Sequence, residues 1–226
     1  MNNNNFKEKI MKLSGPEYNN KDITSACILL HGWGSNGDDL IQIAPEFAKN
    51  FENMIFLSPN APDVCSANPY GRQWFEIKND LEKTSLNDLT YSEELIMAYI
   101  EECALRFKIS SSKIFLLGFS QGSTMAMHIG LHYPKKLAGI LAFSGILLFN
   151  EIFKSYKKNE TPFLIVHGKE DEVVPHHFLD YSHMKLIELN QVFLALPETF
   201  REIIIQLKQI FIRIFQRIIS IQSVAV

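Results

Sequence analysis

Residues 118–122, with the sequence GFSQG, are the part of the chain whose types and spacing most directly predict chemistry. An apolar run rich in β-branched and aromatic residues, 114–117, precedes them and is typical of a buried strand. An apolar segment long enough for a buried helix, 123–131, follows them. A strand, a G-x-S-x-G turn and a helix together make a nucleophile elbow, which holds a serine hydroxyl clear of the sheet. The pattern therefore predicts Ser120 as a nucleophile.

The neighbours of Ser120 fit this prediction in two ways. The turn of an elbow is so sharp that the residues two before and two after the serine must lack side chains, and Gly118 and Gly122 occupy those positions. Because a helix follows Ser120, the helix dipole and the backbone amide of Gln121 can stabilise a developing oxyanion. The alternative is a Gly/Ser-rich loop that performs no chemistry, since a five-residue pattern also occurs by chance.

The segments 115–122 (FLLGFSQG) and 134–145 (PKKLAGILAFSG) resemble the carboxylesterase/phospholipase branch of the α/β-hydrolases, which includes the acyl-protein thioesterases. The resemblance extends from about residue 26 to about residue 190, with several motifs in the expected order. It implies an α/β-hydrolase fold, with a mostly parallel sheet flanked by helices on both faces. It also implies hydrolysis of carboxylic esters or thioesters through an acyl-enzyme, without a metal or other cofactor.

The alternation of apolar strands with helical segments also predicts a parallel α/β sheet from the residues themselves. The helix at 90–107 has Thr90 and Glu93 at the spacing of a capping box. Strands are predicted at 26–30, 53–58, 114–117, 137–143, 162–168 (with its turn) and 192–196, and helices at 38–51, 90–107 and 123–131.

The segment 31–37 (HGWGSNG) lies where the resembling family places the loop that supplies the second oxyanion amide. Its glycines let backbone N–H groups turn inward without a Cβ in the way. The resemblance implies that the backbone amide of Trp33 acts with that of Gln121. His31 stands where the family keeps a non-catalytic histidine, so we predict that it braces the loop.

A carboxylate after a strand, followed by the residues 173–175 (VVP), stands where the resembling family keeps the acid of its catalytic triad. This residue is Asp171, which would orient the catalytic histidine and stabilise its imidazolium form. His167 resembles the strand-end histidine of the family and is expected to be structural.

A long irregular stretch after the strand at 53–58 contains the residues 72–75 (RQWF). Loops of this length without regular structure tend to be functional. In the resembling family the Arg-x-Trp-Phe element borders the active site, which implies that Trp74 and Phe75 line an acyl pocket. The alternative is an aromatic cluster that covers the edge of the sheet.

The histidine that should complete the triad is missing from its expected position. The chain order in this fold is serine, acid, histidine, so the histidine should follow the next strand after the acid. His183 is the last histidine, and residues 184–226 contain none. His176, His177 and His183 do follow the acid, but a base must come within hydrogen-bond reach of Ser120. We expect these three to be surface or core histidines.

The end of the chain, 197–226, differs in composition from the rest. After Glu202 there is no acidic residue, and polar residues recur at alternating steps of three and four among many isoleucines. This spacing is that of a helix with a narrow polar stripe. Three interpretations are open, in order of preference: a tail produced by a shifted reading frame, the helix that covers the end of the sheet, and a basic amphipathic helix at a membrane surface.

The composition limits the other classes of function. A chain of 226 residues favours one domain, 1–226, with a polar N-terminal arm at 1–22 and the atypical tail at 197–226. A net charge of −3 argues against a nucleic-acid partner, and no uncharged apolar run reaches the about 18 residues of an integral membrane segment. Three cysteines without a C-x-x-C spacing predict reduced thiols in the cytoplasm rather than disulfides or a metal cluster.

Together these features predict a serine hydrolase that acts on a small-molecule ester or thioester through Ser120, impaired because the triad histidine is missing. The alternative is a catalytically inactive α/β-hydrolase, which is either a degenerate gene product or a module that binds acyl ligands.

Overall fold

The computed structural model describes residues 12–19, 22–77, 88–149, 153–154 and 160–193, so the predicted tail at 197–226 lies outside the described residues. The strands are β1 (Glu17–Tyr18), β2 (Ser25–Leu30), β3 (Met54–Leu57), β4 (Asp63–Val64), β5 (Arg72–Gln73), β6 (Ile114–Phe119), β7 (Gly139–Phe143), β8 (Pro162–Val166) and β9 (Val192–Phe193). The α-helices are α1 (Gly37–Leu40), α2 (Ala44–Ala48), α3 (Thr90–Phe107), α4 (Gln121–His132) and α5 (His177–Glu188).

The described strands form a seven-stranded sheet in the order β1-β3-β2-β6-β7-β8-β9, while β4 and β5 make a separate two-stranded ribbon. Neighbouring strands of the sheet are parallel from β3 to β9, and β1 runs antiparallel to β3. The prediction of a mostly parallel α/β sheet is confirmed. Because parallel strands end at the same edge, the loops after β2, β6, β7 and β8 meet there.

Alternate side chains of each central strand enter two different hydrophobic cores. In β2, Ile28 and Leu30 pack in the core that contains residues of α3 and α4. Cys27 and Leu29 pack in the core that contains residues of α1 and α2. The sheet is therefore covered by helices on both faces, as the near-continuous apolar strands predict.

The single helix predicted at 38–51 is two short helices separated by a 3₁₀ turn, Ile41–Ile43. Pro45 lies in the first turn of α2, where its missing N–H costs nothing, but it could not continue a preceding helix. Asn36 caps α1, its side-chain oxygen accepting a hydrogen bond from the backbone N–H of Asp39 at 2.9 Å.

Part of the predicted polar arm belongs to the sheet. Leu13 is buried, and the strand β1 pairs with β3 along its outer edge. The backbone N–H of Ser58 donates to the carbonyl of Pro16 at 3.0 Å, and a Cβ on Gly15 would lie only 2.0 Å from the Ser58 carbonyl oxygen. Backbone pairing, which polar residues supply as well as apolar ones, holds this segment in place.

The helix α3 has the bounds that the sequence predicts, but its capping box does not form. Leu89 is the N-cap residue and no side chain caps the helix. The carboxylate of Glu93 contacts two histidines of α4 instead. Within the described residues no helix is long and apolar enough to cross a bilayer.

Candidate active site

Ser120 lies in the strained turn between β6 and α4. Its backbone has φ 52° and ψ −116°, a left-handed region that a residue with a side chain rarely adopts. A Cβ on Gly118 would lie 2.2 Å from the carbonyl oxygen of Gly122, and a Cβ on Gly122 would lie 2.0 Å from that of Leu30. Both positions therefore exclude any side chain, which is the steric condition for this turn.

Hydrogen bonds link the turn to the neighbouring loops at the carboxyl edge of the sheet. The backbone N–H of Ser120 donates to the carbonyl of Phe143 at 2.9 Å, and its own carbonyl accepts from Ser123 N–H at 3.0 Å. Ser144, which also has a positive φ of 50°, donates its N–H to Val166 at 2.9 Å. The loops after β6, β7 and β8 are thus connected in series.

The loop after β2 passes beside Ser120. A Cβ on Gly32 would lie 3.4 Å from the Cβ of Ser120. Within the described residues the backbone N–H of Trp33 donates to no acceptor. Gln121 is the first residue of α4, so its N–H has no acceptor within the helix. These two N–H groups therefore have no acceptor within the described residues, and their role in binding an oxyanion stays a prediction.

The ribbon of β4 and β5 holds this loop in position. Gly34, at φ 75°, donates its N–H to the carbonyl of Arg72 at 2.9 Å, and the N–H of Arg72 donates to Ser35 at 2.7 Å. A Cβ on Gly71 would lie 2.1 Å from the Gly34 carbonyl oxygen. The indole Nε1 of Trp33 donates to Oε1 of Gln73 at 3.0 Å. These contacts fix the loop before any substrate binds.

His31 is fully buried at the start of the same loop and is held as a neutral ring. Its Nε2 accepts a hydrogen bond from the backbone N–H of Ala61 at 3.0 Å, so the proton is on Nδ1, which donates to the Gly32 carbonyl at 2.8 Å. Burial, with a smaller contribution from the charge of Arg72, lowers the pKa of His31 to about 4. His31 therefore braces the loop, as predicted.

The side chain of Gln121 holds the segment that contains Trp74 and Phe75, a contact that the sequence did not reveal. Its Oε1 accepts from the backbone N–H of Trp74 at 2.8 Å, and its Nε2 donates to the carbonyl of Phe75 at 2.7 Å. The indole of Trp74 donates to the carbonyl of His31 at 2.9 Å. Both aromatic rings are buried in a core cluster, and their role in an acyl pocket stays a prediction.

The loop that follows β8 fixes the carboxylate of Asp171. Its Oδ1 accepts hydrogen bonds from the backbone N–H groups of Val173 at 3.0 Å and Val174 at 2.9 Å. His167 donates from Nε2 to the carbonyl of Val174 at 2.7 Å, and the same nitrogen lies 3.6 Å from Oδ2 of Asp171. The ring of His167 is therefore tied to the loop of the predicted acid.

All seven histidines of the chain lie within the described residues, and none donates to or accepts from Oγ of Ser120. His128 and His132 contact Glu93, and His31 and His167 make the contacts described above. His176 lies beside His167, with ring centroids 6.0 Å apart. His177 and His183 are exposed on α5. The fold brings the loops of Ser120 and Asp171 to one edge, and none of the seven histidines is hydrogen-bonded to the serine hydroxyl.

A small open pocket of about 10 Å³ lies beside the turn of Ser120. Its lining includes Ser123, Gly145 and His167, and a Cβ on Gly145 would lie 3.0 Å from the carbonyl oxygen of Ser120. The buried hydroxyl of Ser123 has no hydrogen-bond partner within the described residues. No local motif marks this pocket, because its walls come from four separate elements of the fold.

Known proteins are similar to this chain in sequence and in fold. The acyl-protein thioesterase 1 of Emericella nidulans is 30% identical over 181 residues, which are 70% of this chain and 74% of the relative. That of Schizosaccharomyces pombe is 32% identical over 160 residues, which are 67% of this chain and 70% of the relative. The crystal structure of esterase PE8 is 33% identical with a TM-score of 0.77, covering 81% of this chain and 87% of the other.

A family model described as phospholipase/carboxylesterase matches residues 17–203, which includes every strand of the sheet and ends within the predicted tail. The match also includes the turn at Ser120, the loop after β2 and the loop of Asp171. The chain therefore belongs to the phospholipase/carboxylesterase family of α/β-hydrolases.

Proposed function

We propose that this chain hydrolyses carboxylic esters or thioesters through an acyl-enzyme formed on Ser120. The observation that carries the proposal is the position of this serine, at a strained turn between β6 and α4 and beside the glycine loop at Gly32. Relatives named acyl-protein thioesterase support thioesters as one of the two substrate classes. As proposed, the protein works in the cytoplasm, where its three unpaired cysteines stay reduced.

The chemistry follows from the groups around the serine. Oγ of Ser120 attacks the carbonyl carbon of the substrate, and the N–H groups of Trp33 and Gln121 hold the oxyanion that forms. When the intermediate collapses, its bond to the alcohol or thiol breaks and the leaving group takes up a proton. Water then adds to the acyl-enzyme and releases the carboxylic acid together with the free Ser120 hydroxyl.

The proton from Ser120 has no histidine to receive it, since none is hydrogen-bonded to Oγ. We therefore propose that water accepts this proton and that turnover is slow. Loss of one triad member still leaves about 10³–10⁴-fold acceleration over water, from the oxyanion hole and from binding. Asp171 is assigned as the triad acid, but without the histidine its carboxylate has no imidazolium to stabilise.

A catalytically inactive module that binds acyl ligands is the second candidate function. The same observation favours it: a serine without a base transfers acyl groups poorly. The two candidates differ in whether Ser120 reacts covalently at all. They can therefore be distinguished by labelling and by turnover measured on the same preparation.

A fluorophosphonate probe, with a desthiobiotin tag for mass spectrometry, tests the assignment on the full-length protein. Ser123→Ala is the matched control, because this serine is three residues away and fully buried. We expect labelling of the wild type and of Ser123→Ala, and none of Ser120→Ala. Label that persists in Ser120→Ala would refute Ser120 as the nucleophile.

Hydrolysis of p-nitrophenyl acetate tests whether the activity is impaired. We expect slow turnover that is lost in Ser120→Ala. A kcat/KM in the ordinary enzyme range, about 10⁴–10⁸ M⁻¹s⁻¹, would contradict the impairment. Turnover equal in the wild type and in Ser120→Ala, with no label on either, would support the inactive module.

A further inference from the structure

Three side chains with metal-binding atoms meet between α3 and α4, on a part of α4 that the proposed chemistry does not use. Glu93 comes from α3, and His128 and His132 stand one turn apart on α4. Nε2 of His128 lies 2.7 Å from Oε2 of Glu93, and Nε2 of His132 lies 2.6 Å from Oε1. One ligand atom from each of the three lies within 4.8 Å of the others.

The contact made by Nδ1 of His132 shows where one ring proton lies. Nδ1 of His132 lies 2.7 Å from the backbone carbonyl of His128, and because a carbonyl only accepts, this nitrogen carries a proton. In the neutral ring Nε2 then presents a lone pair toward Oε1 of Glu93. A lone pair and a carboxylate oxygen repel each other at this distance, so a proton or a metal ion lies between them.

The carboxylate and the second histidine suit a cation as well. Each oxygen of the Glu93 carboxylate contacts the Nε2 of a different histidine, so the carboxylate lies between the two rings. Nδ1 of His128 has no hydrogen-bond partner within the described residues, so no contact at that nitrogen fixes which ring nitrogen carries the proton. The ring of Phe153 packs edge-on against that of His128, with centroids 5.6 Å apart.

We propose that Glu93, His128 and His132 bind one Zn²⁺ ion, with water at the fourth position. Two imidazole nitrogens and one carboxylate oxygen are ligands that Zn²⁺ accepts, whereas Mg²⁺ and Ca²⁺ prefer all-oxygen sites. The hydrogen bond from Nδ1 of His132 to the backbone carbonyl of His128 is of the kind that orients metal-binding histidines through the nitrogen that does not bind the metal. At bond lengths of about 2.0–2.1 Å two ligand atoms of a tetrahedral Zn²⁺ stand about 3.3 Å apart. The contacts of 2.7 Å and 2.6 Å between the histidines and the carboxylate would each lengthen by less than about 1 Å.

The ion would join α3 to α4, the helix that begins next to Ser120. It lies at the far end of α4 from the serine, so we assign it a structural role. Such an ion stabilises the folded state by binding it in preference to the unfolded chain. No sequence motif marks the site, because Glu93 and His128 are 35 positions apart.

Calorimetric titration of the chelator-treated full-length protein with zinc chloride tests the proposal. Glu93→Gln removes the charge of the carboxylate while keeping its shape, and His183→Ala, on exposed α5, is the matched control for histidine removal. We expect one Zn²⁺ per chain in the wild type and in His183→Ala, and at least tenfold weaker binding in Glu93→Gln. Magnesium chloride should give no binding heat.

Thermal unfolding with and without zinc provides an independent readout. Zinc should raise the Tm of the wild type and of His183→Ala but not that of Glu93→Gln. If Glu93→Gln fails to fold, His132→Gln replaces it and tests the same ligand set. An absence of zinc binding, or equal binding by the wild type and the ligand variants, would overturn the proposal and leave a proton on His132 as the charge between the groups.

Discussion

His167 lies beside Asp171, with its Nε2 3.6 Å from Oδ2 of the carboxylate. The proton of that nitrogen is already donated to the carbonyl of Val174 at 2.7 Å, and the His167 side chain is only 1% exposed. This histidine therefore supports the acid loop and is not placed to accept a proton from Ser120. The carboxylate of Asp171, which we propose as the triad acid, is held by its own loop and is not paired with a histidine placed to act on Ser120.

Imidazole in solution should partly restore turnover if the missing base is what limits it. We expect the rate of p-nitrophenyl acetate hydrolysis by the wild type to rise with imidazole concentration and then saturate, because a free imidazole can occupy the place of the absent side chain. The measurement is the initial rate, with the rate of Ser120→Ala subtracted at each concentration. The variant accounts for hydrolysis by imidazole itself.

A rate that does not exceed that of Ser120→Ala at any imidazole concentration would contradict this prediction. If instead the wild type is fast without imidazole, another histidine has replaced the missing one. Alanine variants of His176, His177 and His183, the histidines that follow the acid in the chain, would then identify it.

Gly118→Ala should destabilise the protein strongly, because its Cβ would lie 2.2 Å from the backbone carbonyl of Gly122. Overpacking of this kind costs about 1–3 kcal/mol or more, and a backbone neighbour cannot rotate away. Gly168→Ala is the control, since the nearest atom to its Cβ would be 3.7 Å away. Urea unfolding of both variants measures the difference; equal stability would show that the turn relaxes easily.

The predictable parts of this fold are those set by local pattern. The apolar runs at 26–30 and 114–117 identify central strands, and the spacing over 90–107 gives α3 with its observed bounds. The turn at Ser120 is also marked locally, since its two glycines are close in the chain. The role of Asp171 as the triad acid was predicted from the resemblance to the family and not from the periodicity of the sequence.

The parts that could not be predicted depend on contacts between distant residues. The capping box at Glu93 fits the local rule, yet the carboxylate binds histidines of α4 instead. The side chain of Gln121 contacts Trp74, 47 positions away, which no spacing reveals. Pro45 could have indicated the break between α1 and α2, because it favours the first turn of a helix.

The buried ring of His31 should make stability depend on pH. In the folded state its pKa is about 4, while an unperturbed histidine has 6.5, so the unfolded chain binds more protons between these values. Stability due to His31 is therefore complete above pH 6.5 and is lost as the pH falls toward 4. The shift corresponds to about 3 kcal/mol.

Urea unfolding of the wild type and of His31→Gln at pH 7 and pH 4.5 measures this effect. Glutamine keeps a side-chain acceptor for the Ala61 N–H but does not titrate, so the variant should lose less stability between the two pH values. Other titrating groups, such as His128, contribute to both proteins and cancel. An equal loss in both would show that His31 does not control the dependence.

Removal of residues 198–226 should improve solubility, if the atypical tail was never selected to pack on this sheet. The tail has many isoleucines and no acidic residue after Glu202, and an exposed apolar surface of this kind promotes aggregation. We expect the truncated chain to show an unchanged or higher Tm and a smaller oligomer by light scattering. A truncated chain that unfolds, while the full-length protein is a stable monomer, would show that the tail is part of the fold.

The order of the strands has a consequence for how this protein could lose activity. Among the described strands the order ends at β9, which pairs with β8, whereas β6 and its serine lie at the centre. In this fold the catalytic histidine follows the last of the three strands that carry the triad residues. The histidine is therefore attached nearer the margin of the sheet than the serine is. A genetic change near the 3′ end of the gene can therefore remove the base without altering the sequence of the central strands that carry the serine.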